Sequence, residues 1–421
     1  MSTRDPLLQT FRVRQKFPRP RIDDVPQAVR RELIRVGLAE RIRPGQQVAI
    51  TAGSRGIAEI PAVIGAIASY VKEIGAVPFV IPAMGSHGGA SAAGQQSVLT
   101  SYGITEDSVG CEIRASMETV TLGQSAHGFP IHFDRSAHEA DHVIVCNRVK
   151  PHTNFDGRYQ SGLIKMMLIG LGKYNGAKTY HRALTEFGFD SVAPPIAQQI
   201  IDSGRIAVGL AIVENAFDEV AHIEAVPPEQ ILEREPELLT MATNWMAKLP
   251  FPECDVLVID EIGKNISGTG MDTNIIGRKY HDHEAAAHET PKVLRIIVRD
   301  ITAASHGNAV GIGIAEFCRS RIVEKMDIHA TAVNGITSNH VTAAMIPVHF
   351  QTDHELVATA LATIGLREPP DARLMWIRNT LDLGELECSA AYWDAVSQRD
   401  DLEPLTELRP LPFDADGNLP D

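Results

Sequence analysis

Val149-Lys150-Pro151-His152-Thr153-Asn154-Phe155-Asp156-Gly157, Ser161-Gly162-Leu163-Ile164-Lys165, Gly170-Leu171-Gly172-Lys173 and Tyr180-His181-Arg182 follow one another within residues 149–182. They come directly after an apolar, β-branched run, His142-Val143-Ile144-Val145-Cys146, which reads as a buried strand. His152 is therefore expected just beyond the carboxyl end of that strand, where open α/β sheets bind ligands. Two histidines and a lysine fall close together among glycines that let backbone approach a ligand. Lys165 lies within Leu163-Ile164-Lys165-Met166-Met167-Leu168-Ile169. An amine among apolar neighbours is desolvated, which lowers its pKa and makes it a usable nucleophile or covalent anchor; the alternative is a lysine whose stem is buried and whose head reaches water.

The rest of the chain is bounded by its composition. At 421 residues it exceeds what one core usually serves, so two domains are expected. The 44% hydrophobic and 22% charged fractions are those of a globular protein, and a net charge of -14 argues against nucleic-acid and anionic-membrane partners in favour of small molecules. The first twenty residues lack the apolar core of a signal peptide, and the apolar run near residues 60–71 is too short to span a bilayer, so a cytoplasmic protein is expected. Cys111, Cys146, Cys254, Cys318 and Cys388 are dispersed, without a Cys-x-x-Cys pair, and read as buried free thiols.

Taken in order, Gln46-Gln47-Val48-Ala49-Ile50-Thr51 reads as a strand that breaks at Ala52-Gly53-Ser54-Arg55-Gly56. A helix follows with Ile60, Val63, Ile64, Ile67 and Val71 on one face. Gly53, Ser54 and Arg55 then form a candidate anion site, where free N–H groups, a hydroxyl and a guanidinium converge. A second strand, Val77-Pro78-Phe79-Val80-Ile81, leads into a glycine-rich loop holding His87. This β-α-β rhythm predicts parallel strands, with Arg55, His87 and His152 gathered on one edge of one sheet. Further strands are expected at Ile206-Ala207-Val208-Gly209-Leu210-Ala211-Ile212-Val213, Asp255-Val256-Leu257-Val258-Ile259, Val293-Leu294-Arg295-Ile296-Ile297-Val298 and Ala372-Arg373-Leu374-Met375-Trp376-Ile377, with a charged helical stretch over 228–248. The prolines of Leu249-Pro250-Phe251-Pro252 mark a boundary. The expected architecture is therefore two α/β domains with mainly parallel sheets, 1–249 and 250–405, with a tail over 406–421 and the active site in the cleft between domains.

In their order and spacing these residues resemble the nickel-pincer-nucleotide lactate racemases, and the resemblance spans both domains. It implies a cytoplasmic racemase or epimerase that inverts the C2 centre of a 2-hydroxy acid by hydride transfer. Its cofactor would be pyridinium-3,5-bisthiocarboxylic acid mononucleotide carrying nickel, with cofactor-synthesis and nickel-insertion proteins as partners. Lys165 matches the lysine to which that nucleotide is tethered, and His181, sixteen residues on, matches the nickel ligand. By the same resemblance His87 and His152 are the two catalytic bases, Arg55 grips the substrate carboxylate, Gly53 and Ser54 border the cofactor, and Lys264 with Glu261 contact substrate from the second domain.

The chain departs from the family pattern in four places. The His152-to-Lys165 segment is longer, Ala52 stands where an aspartate is expected, Gly88 follows His87 in place of an arginine, and Glu261 replaces a glutamine. Polar residues are numerous in the long segment (Asn154, Asp156, Arg158, Tyr159, Gln160, Ser161) and in the second domain (Glu261, Asn265, Thr269, Asp272, Thr273, Asn274). Buried against a methyl group, unpaired polar side chains would each cost roughly 1 to 3 kcal/mol, so a polyhydroxylated acid such as an aldonate is expected, with Asp272 and Glu261 accepting from its distal hydroxyls. Two other classes of function use the same residues. One is a hydrolase or lyase with His87, His152 and His181 around zinc or manganese; the other is a non-catalytic nucleotide- or anion-binding protein.

Overall fold

The computed structural model describes residues 8–54, 56–154 and 156–420. The chain divides into two compact units, one of residues 18–246 and one that joins 1–17 to 247–421. Division near 249/250 was expected; the difference lies at the termini. Strand β1 (Gln9–Gln15) buries Phe11 and Val13 alternately with exposed arginines, and it belongs to the sheet of the second unit.

The first unit is built on a six-stranded sheet. Its strands are β2 (Gln47–Ala52), β3 (Val77–Pro82), β4 (Glu112–Ile113), β7 (His142–Arg148), β8 (Ile206–Glu214) and β9 (Val220–Val226), while β5 (Thr119–Gln124) and β6 (Pro130–Asp134) form a separate hairpin. The order is β4-β3-β2-β7-β8-β9, parallel throughout except for the antiparallel β9. Both faces are covered, which is why the central strands are almost continuously apolar. Ala49, Phe79, Ile81, Val143 and Val145 point into one apolar layer, and Val48, Ile50, Val80, Ile144 and Cys146 into the other.

One charged side chain lies inside the first layer. Glu235, on the helix Ile231–Trp245, is 2% exposed, and burial pushes its carboxyl from the ordinary value of 4.5 up to about 7. Between those values the unfolded chain ionises before the native one, so the native state binds more protons and stability falls as pH rises through this window. The Glu235→Gln protein, which cannot titrate there, is therefore expected to gain thermal stability relative to the natural protein as pH goes from 5 to 8. Melting temperatures that differ by a constant amount across that range would contradict it.

The second unit holds β10 (Glu253–Ile262), β11 (Lys292–Ile301), β12 (Phe317–Arg319), β13 (Val348–Phe350), β14 (Leu374–Ile377), β15 (Glu385–Ser389), β16 (Leu402–Pro404) and β17 (Arg409–Pro410). With β1 they make a nine-stranded sheet, β13-β12-β11-β10-β14-β15-β1-β16, in which β17 also pairs with β1. The expected tail over 406–421 is thus partly strand, and Leu411 and Leu419 are buried. The Arg299 guanidinium holds the end of the chain through the carbonyls of Leu419, at 2.7 Å, and Pro420, at 2.9 Å. All five cysteines are free. Among the described residues, no helix is long and apolar enough to cross a membrane.

Candidate active site

In the first sheet the chain leaves β2 toward β3 and β4 on one side and returns through β7 to β8 on the other. The carboxyl ends of β2 and β7 therefore flank a topological switch point, the place where an open α/β sheet leaves a crevice. The ladder joining these strands runs from Val48↔His142 to Ile50↔Ile144. Beyond it the buried Thr51 hydroxyl bonds to Cys146, accepting from its N–H at 2.9 Å and donating to its carbonyl at 3.2 Å. A side chain in place of backbone pairing holds the two strands where they begin to part.

Gly53 follows at once. A Cβ there would lie 3.2 Å from Met166 Cε and 3.7 Å from Asn147 Oδ1, so the loop after β2 runs close over the Lys165 segment. Asn147, near the end of β7, donates to the Gly162 carbonyl at 2.8 Å and holds that segment from below. Ser54 is fixed through its carbonyl, which accepts from the Tyr102 hydroxyl at 3.1 Å, and its Oγ shares a short hydrogen bond with His87 Nδ1. Arg55, expected beside them, lies outside the described residues.

His87 stands exposed at the tip of the loop after β3. The buried Gln95 Nε2 secures its backbone by donating to the carbonyls of Gly85, at 2.9 Å, and His87, at 3.3 Å. Gly88 has φ +65°, and a Cβ on it would come within 2.6 Å of Gln95 N. An arginine at this position could not be accommodated, so this departure from the family pattern is a consequence of how the loop packs.

The loop after β7 is closed at its neck by an antiparallel bridge between Lys150 and Ser161. Within it His152 N donates to Gln160 Oε1 at 2.8 Å, and Asn154 N donates to His152 Nδ1 at 3.0 Å. Because Nδ1 accepts, the neutral ring carries its proton on Nε2. Several polar groups of this segment are engaged internally: Gln160 Nε2 donates to Asp156 Oδ1 at 3.2 Å and the Tyr159 hydroxyl to Leu232 O at 2.8 Å, while Asn154, Asp156 and Arg158 remain exposed.

Lys165 ends the short helix Leu163–Lys165, which continues as a π-helix over Met166–Gly170, closed by Leu171 N donating to Met166 O at 2.9 Å. Such π-bulges recur at functional sites. A Cβ on Gly170 would lie 2.8 Å from Ala83 O, so this segment also packs against the root of the His87 loop. His181 sits on the next helix, Lys173–Phe187. Its ring is open to solvent but surrounded by protein; loss of solvation, then the nearby Lys165 ammonium, hold its pKa below the ordinary value. Imidazole in that state is a competent metal ligand. The same helix begins at Lys173, fully buried with φ +52°, whose ammonium pairs with Asp134 at 2.9 Å and bonds Pro82 O at the end of β3.

Lys264 and Glu261 belong to the second unit, at the carboxyl end of β10. Lys264 Nζ donates to Asn334 Oδ1 at 2.8 Å and to Gly268 O, and Glu261 Oε1 accepts from Asn379 Nδ2 at 3.1 Å. The expectation that 265–274 presents free polar groups is corrected here. Thr269, Asp272 and Thr273 are buried, Asp272 Oδ1 accepts from both nitrogens of Asn274, and Asn265 Oδ1 accepts from Thr302. Each of these polar atoms finds its partner within the loop's own surroundings, so burial costs little.

Ser54, His87, Lys165 and His181 are thus brought together with Gly53 around the switch point, and His152 stands on the same rim. Among the described residues, no three of His, Cys, Asp and Glu are placed to hold a metal ion; the His87–His152–His181 cluster that a zinc hydrolase would need is not formed. Residues 24–188 match the lactate racemase N-terminal domain family. Over those residues the chain is similar to that family. Its fold is that of the lactate racemase apoprotein from Thermoanaerobacterium thermosaccharolyticum, at 12% identity and a TM-score of 0.52, over 86% of this chain and 98% of that one. A protein from Thermotoga maritima is similar at 14% identity and a TM-score of 0.45, over 74% of this chain and 80% of its own. No curated protein matches the sequence. The candidate site also uses Thr51, Gln95, Asn147 and Lys173, which sequence reasoning left unassigned; all four act through backbone or buried partners, and only Lys173, which follows Gly170-Leu171-Gly172, carried a signal.

Proposed function

We propose that this chain inverts the C2 centre of a 2-hydroxy acid, with a nickel-pincer nucleotide held by Lys165 and His181. The observation that carries this reading is the donor set. One histidine biased to the neutral form lies within electrostatic reach of one amine, and among the described residues there is no further cluster of protein ligands. That set fits a metal whose remaining ligands come from an organic group. When bound, the cofactor supplies a centre that takes up the C2 hydrogen with its electron pair and returns it.

The chain's own residues manage the proton and the orientation. In the tautomer that donates Nδ1–H to Ser54 Oγ, His87 would take the 2-hydroxyl proton at Nε2, while His152 would offer Nε2–H to the same oxygen. For the other enantiomer the roles reverse with each ring in its other tautomer, so that His152 Nδ1 gives up the Asn154 N–H and the Ser54–His87 hydrogen bond turns round. Arg55 would clamp the carboxylate by two parallel hydrogen bonds, which fixes the reacting carbon.

For the substrate we propose a polyhydroxylated acid such as an aldonate. The exposed Asn154, Asp156 and Arg158 beside His152 support it; the inward-turned 265–274 loop does not contribute. NMR of epimerisation by protein loaded with cofactor is expected to favour gluconate over lactate, malate and phenyllactate. A site built to bind hydroxyls rejects analogues lacking them by large factors, so a preference for lactate or phenyllactate would refute the substrate class, and inactivity on all four the reaction.

A further inference from the structure

We infer that Glu235 is a positioning residue for the Lys165 amine: its buried carboxyl is the acceptor that fixes the turn from which Lys165 projects. The inference rests on the reading of Lys165 as the cofactor's anchor. Glu235 Oε2 accepts from Ile164 N at 2.9 Å, and the Leu163 N–H also bonds to this carboxyl. These N–H groups open the Leu163–Lys165 helix and have no partner inside it. Gly162 makes the approach possible, since a Cβ there would lie 2.7 Å from Glu235 Cδ. Its carbonyl is meanwhile held by Asn147 Nδ2 at 2.8 Å and by Met166 N at 3.0 Å. The turn is therefore gripped at its N–H groups by Glu235 and at its carbonyl by β7. Lys165, one residue further on, inherits that placement.

A carboxyl in an apolar layer is costly unless something nearby repays it. Among the described residues no neighbouring cation does so: Arg234 turns away to Glu224, at 2.8 Å, and to Glu237. The backbone of the lysine's own turn is what the carboxyl binds.

The inference is tested on the intact apoprotein, without cofactor. Reductive methylation followed by peptide mass mapping compares labelling of Lys165 with the exposed Lys178 and the buried Lys173. In Glu235→Leu the freed turn is expected to raise the Lys165-to-Lys178 ratio by about tenfold, with Lys173 still protected, because a buried donor that loses its acceptor no longer holds its place. Glu235→Gln keeps a carbonyl oxygen for both N–H groups and is expected to stay within about twofold of the natural protein. An unchanged ratio in folded Glu235→Leu, an equal rise in both variants, or a parallel rise at Lys173 would overturn the inference. Should Glu235→Leu fail to fold, hydrogen exchange of the natural protein decides: slow exchange at Leu163 and Ile164 is expected, and fast exchange there would refute it. Because methylation does not involve the nucleotide, a failed racemase assay leaves this result standing, and the reverse holds equally.

Discussion

Lys165→Ala protein, co-produced with the cofactor-making enzymes, is expected to show the intact mass of the bare polypeptide, and the natural protein is expected to carry an adduct. The expected effect is complete loss, since Lys165 is the amine whose charge reaches the His181 ring. Lys173 is fully buried in its ion pair with Asp134, and Lys150 is itself one side of the bridge that closes the loop after β7. His181→Ala tests the other half of the same assignment: the adduct should persist while nickel affinity falls by about tenfold or more, the usual scale for disturbing a metal site. Natural levels of adduct and nickel in both variants would remove the cofactor from this site altogether.

His87→Ala and His152→Ala are each expected to lower turnover by about 10²-fold or more, the usual contribution of a positioned acid or base. Nickel and adduct should be retained, because neither ring belongs to the proposed donor set. The hydrogen bonds set the two rings apart, so the losses should be unequal between the two directions of the reaction: Ser54 Oγ meets Nδ1 of one ring and the Asn154 N–H meets Nδ1 of the other. Ser54→Ala should therefore impair the same direction as His87→Ala, to a lesser degree. Steady-state rates measured from each enantiomer check this, and full activity of either histidine variant in both directions rules out the two-base scheme.

Much of this was legible in the chain itself where side-chain pattern and strand order coincide. The parallel strands of the first unit stand out because burial on both faces makes them continuously apolar, and the loops holding Gly53, Ser54, His87 and His152 then follow from where such strands end. Strand β1 was missed although its pattern was present: Phe11 and Val13 alternate with Arg12 and Arg14, but its pairing partners lie more than 370 residues away, as in Phe11↔Cys388. Glu235 gave no signal, since a glutamate among charged helical residues reads as solvated until the fold turns it inward. The 265–274 loop misled for the converse reason. Its polar composition says nothing of direction, and Asp272 and Asn274 are spent on each other.

The place of β1 governs the order in which the protein can be made. It lies between β15 and β16 in the second sheet, yet it leaves the ribosome long before these partners. Domains fold as units during synthesis, and 18–246 is one uninterrupted stretch, so it can close while β1 is still waiting. Throughout that interval the strand keeps unpaired N–H and C=O groups and two apolar side chains in water, the properties of an edge prone to pairing with the wrong neighbour. Its alternate arginines, Arg12 and Arg14, later pair with Glu385 at 3.1 and 2.9 Å; until then they give the waiting strand the charge that keeps nascent chains apart.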